Sequence, residues 1–200
     1  MRVAIFDYGA GNIHSLAKAL DRSAVDVRIE PDPTLAVDTD VLVLPGVGAF
    51  GAAAQRLAPG RDRMAQAIRD GLPCLGICLG MQLFFEGSDE AAPSDVGLGV
   101  LPGRVTRLET RRVPQIGWNS LERAGSSLLD DAPLPYAYYA NSYVCRPRNA
   151  SVVQAWSDHD GDRFPAMIRY RNAIGVQFHP EKSSAPGLRF LQAFLDRARQ

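Results

Sequence analysis

The chain has 200 residues, 46% hydrophobic and 22% charged, a balance that suits one globular unit burying roughly 70% of the surface its unfolded form exposes. Its 22 basic and 22 acidic side chains cancel, so nothing in the charge points to a polyanionic partner such as nucleic acid. Lys18 and Lys182 are the only lysines, every other cationic side chain being arginine.

Val3-Ala4-Ile5-Phe6 is a short β-favouring run that ends at Asp7-Tyr8-Gly9. Ile13, Leu16, Ala17 and Leu20 follow at helical spacing. Val25 to Ile29 alternates like a strand with one exposed face. Val41-Leu42-Val43-Leu44 is apolar at every position, as a parallel strand buried on both faces requires. Residues 49–70 read as helix broken at Pro59-Gly60, residues 72–77 as a short strand, and residues 79–85 as a further helix. This alternation predicts an α/β fold, an open parallel sheet with helices on both faces. Beyond it the pattern changes. Residues 104–108, 136–140, 152–156, 166–170 and 174–178 read as strands, and only residues 188–199 read as a helix, with Leu188, Leu191, Phe194 and Leu195 as its apolar stripe. Antiparallel strands are therefore expected to extend the parallel sheet. No composition break, linker or repeat divides the chain, so a single domain is expected over residues 1–200.

Cys74, Cys78 and Cys145 cannot all pair and form no disulfide framework. Met1-Arg2 runs directly into an apolar stretch without the layout of a signal peptide. No apolar segment approaches the ~18 residues of a membrane span. A soluble, cytoplasmic protein with no membrane partner is expected.

Ligand sites in α/β sheets lie at the carboxyl ends of strands, and four motifs fall there. Gly76-Ile77-Cys78-Leu79-Gly80 joins a strand to a helix. A nucleophile on such a turn is exposed above the sheet, with glycines on either side relieving the crowding. The helix start favours a thiolate there, and the N–H of Leu79 points toward an oxyanion formed by attack at Cys78. A buried core cysteine is the competing reading of the turn alone. The second motif, Gly175-Val176-Gln177-Phe178-His179-Pro180-Glu181, ends a strand on a histidine with a glutamate two residues on. His179 can serve as the base for Cys78, with Glu181 fixing its tautomer, and Pro180 stiffens the turn so that both project together. His14, in the first helix, and His159, in a turn-like Asp-His-Asp-Gly run expected to be solvated, compete poorly. Pro45-Gly46-Val47-Gly48-Ala49-Phe50 suits either an oxyanion loop or a glycine turn capping a helix. Asp7-Tyr8-Gly9-Ala10-Gly11-Asn12 lacks the third glycine of a dinucleotide fingerprint, His14 standing in its place.

The elbow 76–82 and the terminal Phe178-His179-Pro180-Glu181 resemble the class I, triad-type glutamine amidotransferases. Residues 7–12, 45–50, 113–119 and 179–183 resemble one branch of them, the glutaminase subunits of imidazole glycerol phosphate synthase in histidine biosynthesis. The motifs span nearly the whole chain. The resemblance implies a three-layer α/β/α fold and hydrolysis of L-glutamine through a γ-glutamyl thioester on Cys78, with His179 and Glu181 completing the triad. It implies oxyanion-hole positions at Leu79 and Val47, and glutamine contacts at Gly48, Gln82, Asn141, Ser142 and Tyr143. Ammonia would pass to a (β/α)₈-barrel cyclase subunit in a heterodimer, with Asn12, Trp118, Asn119, Tyr138 and Lys182 at interface or gate positions. No cofactor or metal is implied. Two positions depart from the pattern: Asn141 and Gln115 stand where many relatives carry histidine. Because the first site contacts glutamine mainly through backbone, activity is expected to survive.

From the residues alone Trp118 could equally be a core aromatic, and Tyr136, Tyr138 and Tyr139 half-buried strand residues, whereas an exposed aromatic patch would mark a protein contact. Rival functions are another ammonia donor of the same class, such as the glutaminase of vitamin B6 synthesis, a silent binding subunit, and an amide or peptide hydrolase. The intact Cys78, His179 and Glu181 argue against the silent subunit.

Overall fold

The apolar runs become strands buried on both faces. A computed structural model describes residues 1–9, 13–21, 25–46, 48–124 and 128–200. The first half runs β1 (Arg2–Phe6), α1 (Ile13–Asp21), β2 (Asp26–Glu30), β3 (Val41–Leu44), α2 (Phe50–Leu57), α3 (Arg61–Arg69), β4 (Cys74–Ile77) and α4 (Leu79–Gln82). The second half adds β5 (Gly87–Ser88), β6 (Gly103–Arg107), β7 (Gln115–Ser120), β8 (Glu122–Arg123) and α5 (Leu128–Asp131). It continues with β9 (Tyr136–Asn141), β10 (Tyr143–Pro147), β11 (Val153–His159), β12 (Asp162–Tyr170), β13 (Ala173–Val176) and α6 (Ser184–Ala198).

The main sheet has the order β2-β1-β3-β4-β13-β12-β11-β8. Pairing is parallel from β2 through β13 and antiparallel from there to β8. All four residues of β3 and of β4 are buried. Their side chains alternate between two cores. Val41, Val43, Leu75 and Ile77 pack with Leu16 and Leu20 of α1 and Phe190, Phe194 and Leu195 of α6. Leu42, Leu44 and Cys74 pack with Phe50 and Leu57 of α2 and Met64 and Ile68 of α3. Helices thus cover both faces, which is the expected three-layer α/β/α arrangement. The break at Pro59-Gly60 falls where expected, as a 3₁₀ turn over Ala58–Gly60 between α2 and α3.

Not every expected strand joins the main sheet. β6 lies between β10 and β5, and β9 pairs with β7, in two separate small sheets. The β6–β10 register joins Arg107 to Tyr143 and Gly103 to Pro147, a long-range pairing that local pattern cannot show. The strand at 174–178 is β13, which runs parallel to β4 and stops at Val176, while Gln177 donates its N–H to the Ala166 carbonyl. The helix expected to reach residue 85 ends at Gln82, because Phe84 and Phe85 bond back only three residues, to Met81 and Gln82, and so tighten the chain. Among the described residues no helix is long and apolar enough to cross a membrane.

Candidate active site

β3, β4 and β13 lie side by side, so the loops after their carboxyl ends meet at one place. Cys78 follows β4 and opens α4 with φ 47° and ψ −103°. This left-handed conformation is strained for a residue with a Cβ, and it lifts the side chain off the end of the strand. The turn is held by Cys78 N–H donating to the Val176 carbonyl at 2.7 Å and by Gln82 N–H donating back to the Cys78 carbonyl at 3.1 Å. The flanking glycines are required by space. A Cβ on Gly76 would sit 2.7 Å from the Gly80 carbonyl carbon, and one on Gly80 would overlap the Leu44 carbonyl oxygen. Gly46, after β3, is equally tight, since a Cβ there would lie 2.9 Å from His179 Cε1 and 3.0 Å from Cys78 Cβ.

His179 and Glu181 project together, as the His-Pro-Glu turn predicts. Pro180 opens a single 3₁₀ turn, and His179 Nδ1 lies 2.9 Å from Glu181 Oε1. A carboxylate oxygen can only accept, so Nδ1 carries a proton toward Glu181 and Nε2 is the nitrogen left for Cys78. Burial pulls the imidazole pKa down, but hydrogen bonds to and negative charge on Cys78 and Glu181 outweigh it and raise the value from 6.5 to about 9. The raised value means that stability from this cluster is fully present below about 6.5 and is lost as pH climbs through about 9. Glu181→Gln, which removes the charge but keeps the shape, is expected to lower the imidazole pKa toward 6.5, and a histidine NMR titration checks this.

The other thiols are set apart from this chemistry. Burial pushes the Cys74 thiol well up. It pushes Cys145 up as well, with nearby Cys78 adding to the rise. Both therefore stay protonated and weakly nucleophilic. Cys78 instead opens onto a cleft of about 360 Å³ whose lining includes Gly48, Leu79, Gln82, Asn141, Ser142, Tyr143, His179 and Lys182. These are most of the positions the sequence put forward. Val47 and Asn12 lie outside the described residues. The N–H of Leu79 is the first of α4 and has no acceptor within the helix, so it can donate to an oxyanion above Cys78.

Several contributors had escaped the sequence reading. Among the described residues Glu90 is the one carboxylate lining the cleft, held where its Oε2 accepts the Phe50 N–H at 3.0 Å. Gln177 is fully buried behind Cys78. Ser183, also fully buried, accepts the Tyr138 N–H at 2.9 Å and donates to the His179 carbonyl at 2.7 Å. His159 ends β11 and contacts the Arg112 carbonyl at 2.8 Å through Nε2, so it is not simply solvated as the turn-like sequence suggested.

Beside the cleft, β7 and β9 pair with Trp118 opposite Tyr138 and Gln115 opposite Asn141. Their alternation is unusual for a half-buried sheet in placing large apolar side chains on the outer face as well. Gln115, Ala137, Tyr139 and Asn141 face the interior, while Ile116, Trp118 and Tyr136 stand 68%, 55% and 61% exposed. The core reading of Trp118 is thereby excluded. Trp118 and Tyr138 meet edge to face with centroids 6.3 Å apart. The Lys182 ammonium lies 6.0 Å above the Tyr138 ring, so Lys182 borders both the cleft and this patch. Asn119 is on the opposite face from Trp118, its amide donating to the Asp158 carbonyl at 2.7 Å.

The model of the family Glutamine amidotransferase class-I matches residues 4–198. The chain belongs to the class-I glutamine amidotransferases. The imidazole glycerol phosphate synthase subunit HisH of Halobacterium salinarum is 42% identical over 207 residues, covering 97% of this chain and 92% of the relative. The subunits of that name from Thermus thermophilus and Pyrococcus furiosus are 42% and 40% identical over 195 residues, each covering 96% of this chain. The fold agrees with solved structures of distant sequence. A glutamine amidotransferase superposes with TM-score 0.76 at 20% identity over 99% of both chains. PurLQS from Thermotoga maritima does so with TM-score 0.74 at 18% identity over 98% of both.

Proposed function

We propose that the chain, as one domain over residues 1–200, is the glutaminase subunit of imidazole glycerol phosphate synthase. In this reading it hydrolyses glutamine to glutamate and passes ammonia to a (β/α)₈-barrel cyclase subunit. The Cys78–His179–Glu181 line at the floor of the cleft carries the reading, and the HisH relatives name the synthase. With its pKa raised, His179 already holds the thiol proton at neutral pH, and the Cys78 thiolate attacks the side-chain carbonyl carbon of glutamine. The resulting oxyanion takes the Leu79 N–H, and the resemblance adds the backbone at Val47. The imidazolium then protonates the departing nitrogen, releasing ammonia and leaving a γ-glutamyl thioester, and neutral His179 activates water for its hydrolysis. Glu181 keeps the ring in the required tautomer throughout.

Substrate recognition follows from the same cleft. Glu90 offers a carboxylate to the α-ammonium of glutamine. Gly48 and the backbone at Asn141, Ser142 and Tyr143 offer polar groups, and the buried Oδ1 of Asn141 has no partner of its own and can accept a donor from the ligand. The apolar strip Ile116, Trp118 and Tyr136 with Tyr138 suits docking of the cyclase subunit, since exposed clusters of large apolar residues mark contacts. Its position at the cleft margin, shared through Lys182, suits direct transfer of ammonia from one protein to the other. The free cysteines and the biosynthetic role suit the cytoplasm.

The test combines this protein with the barrel subunit and its nucleotide. Glutamate release from glutamine is expected, and none would overturn the reading. Trp118→Ala should weaken the complex about 30-fold, the effect of losing an aromatic hot spot, read by titration calorimetry. Unchanged affinity would remove this face from the interface.

A further inference from the structure

Behind Cys78 a chain of amides runs into the core, and its polarity is determined by a backbone carbonyl. The Tyr143 carbonyl oxygen can only accept, and Gln82 Nε2 lies 3.1 Å from it. The same Gln82 nitrogen lies 3.5 Å from Gln177 Oε1. That leaves Gln177 Nε2 facing the Cys78 sulfur, at 3.3 Å. Flipping either amide would set oxygen against oxygen or donor against donor somewhere along the chain, so the orientation shown is the one that satisfies every group. Asn141 Nδ2 donates to the same Tyr143 carbonyl at 3.1 Å and reinforces the anchor. Gln177 has no exposed surface at all, so water does not compete for its amide.

We propose that Gln177 is a further catalytic residue, whose N–H stabilises the Cys78 thiolate and, by occupying a sulfur lone pair, aims the thiol proton toward His179. The role rests on the nucleophile reading of Cys78. A strand-end amide directed at the sulfur complements the imidazole: His179 moves the proton, whereas Gln177 holds the charge without titrating. The other groups around the sulfur do not replace it. The Ala140 carbonyl, 3.9 Å from Sγ, can only accept from the thiol. Cys145, on β10, is kept neutral by burial, Glu181 acts through His179, and Glu90 and Lys182 line the cleft. Because a hydrogen bond to a charged group is stronger than one to its neutral form, the N–H favours thiolate over thiol.

The experiment follows iodoacetamide alkylation of Cys78 against pH in the full complex, read by peptide mass. Gln177→Met keeps the length without the donor. It should slow alkylation at neutral pH about tenfold, move the midpoint up by about one pH unit, and lower kcat with little change in KM. Gln177→Glu, which sets a carboxylate against the sulfur, should move the midpoint further still, an ordering that loss of packing alone would not produce. Equal midpoints in the unmutated and Gln177→Met proteins, with Cys78 still labelled, would overturn the proposal and leave the triad standing. A Cys78 that is unreactive in the unmutated complex would overturn both. In the unmutated protein the Gln177 side-chain amide resonances should shift as Cys78 ionises. Resonances that stay fixed through that ionisation would also overturn it, whether or not the variants fold.

Discussion

Cys78→Ala is expected to lower glutamate release at least ~10³-fold, because members of a nucleophile–base–orienter set act as a unit and losing the nucleophile removes the covalent route entirely. The fold should be little affected. The lost sulfur sits at the edge of the core where it borders the cleft, and its hydrogen-bond contacts are one amide at 3.3 Å and one carbonyl at 3.9 Å. Complex formation should persist too, since Trp118 and Tyr136 lie on a different strand pair. A coupled glutamate assay and size-exclusion of the two subunits test both statements. Residual glutamine-dependent turnover in this variant would sink the nucleophile assignment. The imidazole should respond as well. With the sulfur gone, part of what raises His179 to about 9 disappears, so its pKa should fall.

Gly80→Ala should damage the protein more than any exposed substitution, although it adds only one methyl. That carbon would overlap the Leu44 carbonyl oxygen and lie 2.6 Å from the Leu44 carbonyl carbon. Both obstacles are backbone of a fully buried central strand, so neither can turn aside as a flexible side chain would. Relief requires α4 to move away from β3, and α4 carries Leu79 and Gln82 with it. A loss of about 3 kcal/mol or more is expected, at the upper end of overpacking costs. For a chain of this size that is a fall in Tm of about 6–12 °C, read by thermal unfolding. Glutaminase activity at temperatures where the variant stays folded should fall too, because the turn at Cys78 is displaced with the helix. A Tm within a degree of the unmutated protein would mean that this close approach is not what holds the turn.

Much of the parallel half was legible in local pattern. Four consecutive apolar residues at 41–44 imply burial on both faces, and β3 has that burial. The spacing of Ile13, Leu16 and Leu20 implies one buried helical face, and those residues are the buried ones of α1. The antiparallel half was less legible because its pairings are remote: β6 and β10 lie some forty residues apart, and local pattern does not show which strands meet. The exposure of Ile116 and Trp118 could not be read at all. A period-2 run shows that two faces differ, but only the neighbouring strands and core decide which face points inward. Here Gln115 and Asn141 point inward with Tyr139, while Ile116, Trp118 and Tyr136 point outward.

At the site, the candidate reactive groups and their local geometry were legible in short motifs. Glycines flank Cys78, and a proline between His179 and Glu181 turns the chain so that both side chains face one way, through interactions within a few residues of each other. The surroundings of the sulfur, by contrast, come from contacts between distant segments. Cys78 and Gln177 are 99 positions apart and meet because β4 and β13 are parallel neighbours. Gln82 and Tyr143 complete the amide chain from two further elements. Glu90 reaches the cleft by anchoring on the start of α2, and Ser183 ties the histidine to the strand bearing Tyr138. Glutamine, glutamate and serine have no periodic signature of burial, and their roles arise from hydrogen bonds across distant segments. The candidate triad could be seen from the residues in line, but the environment proposed to tune it exists only once the sheet has formed.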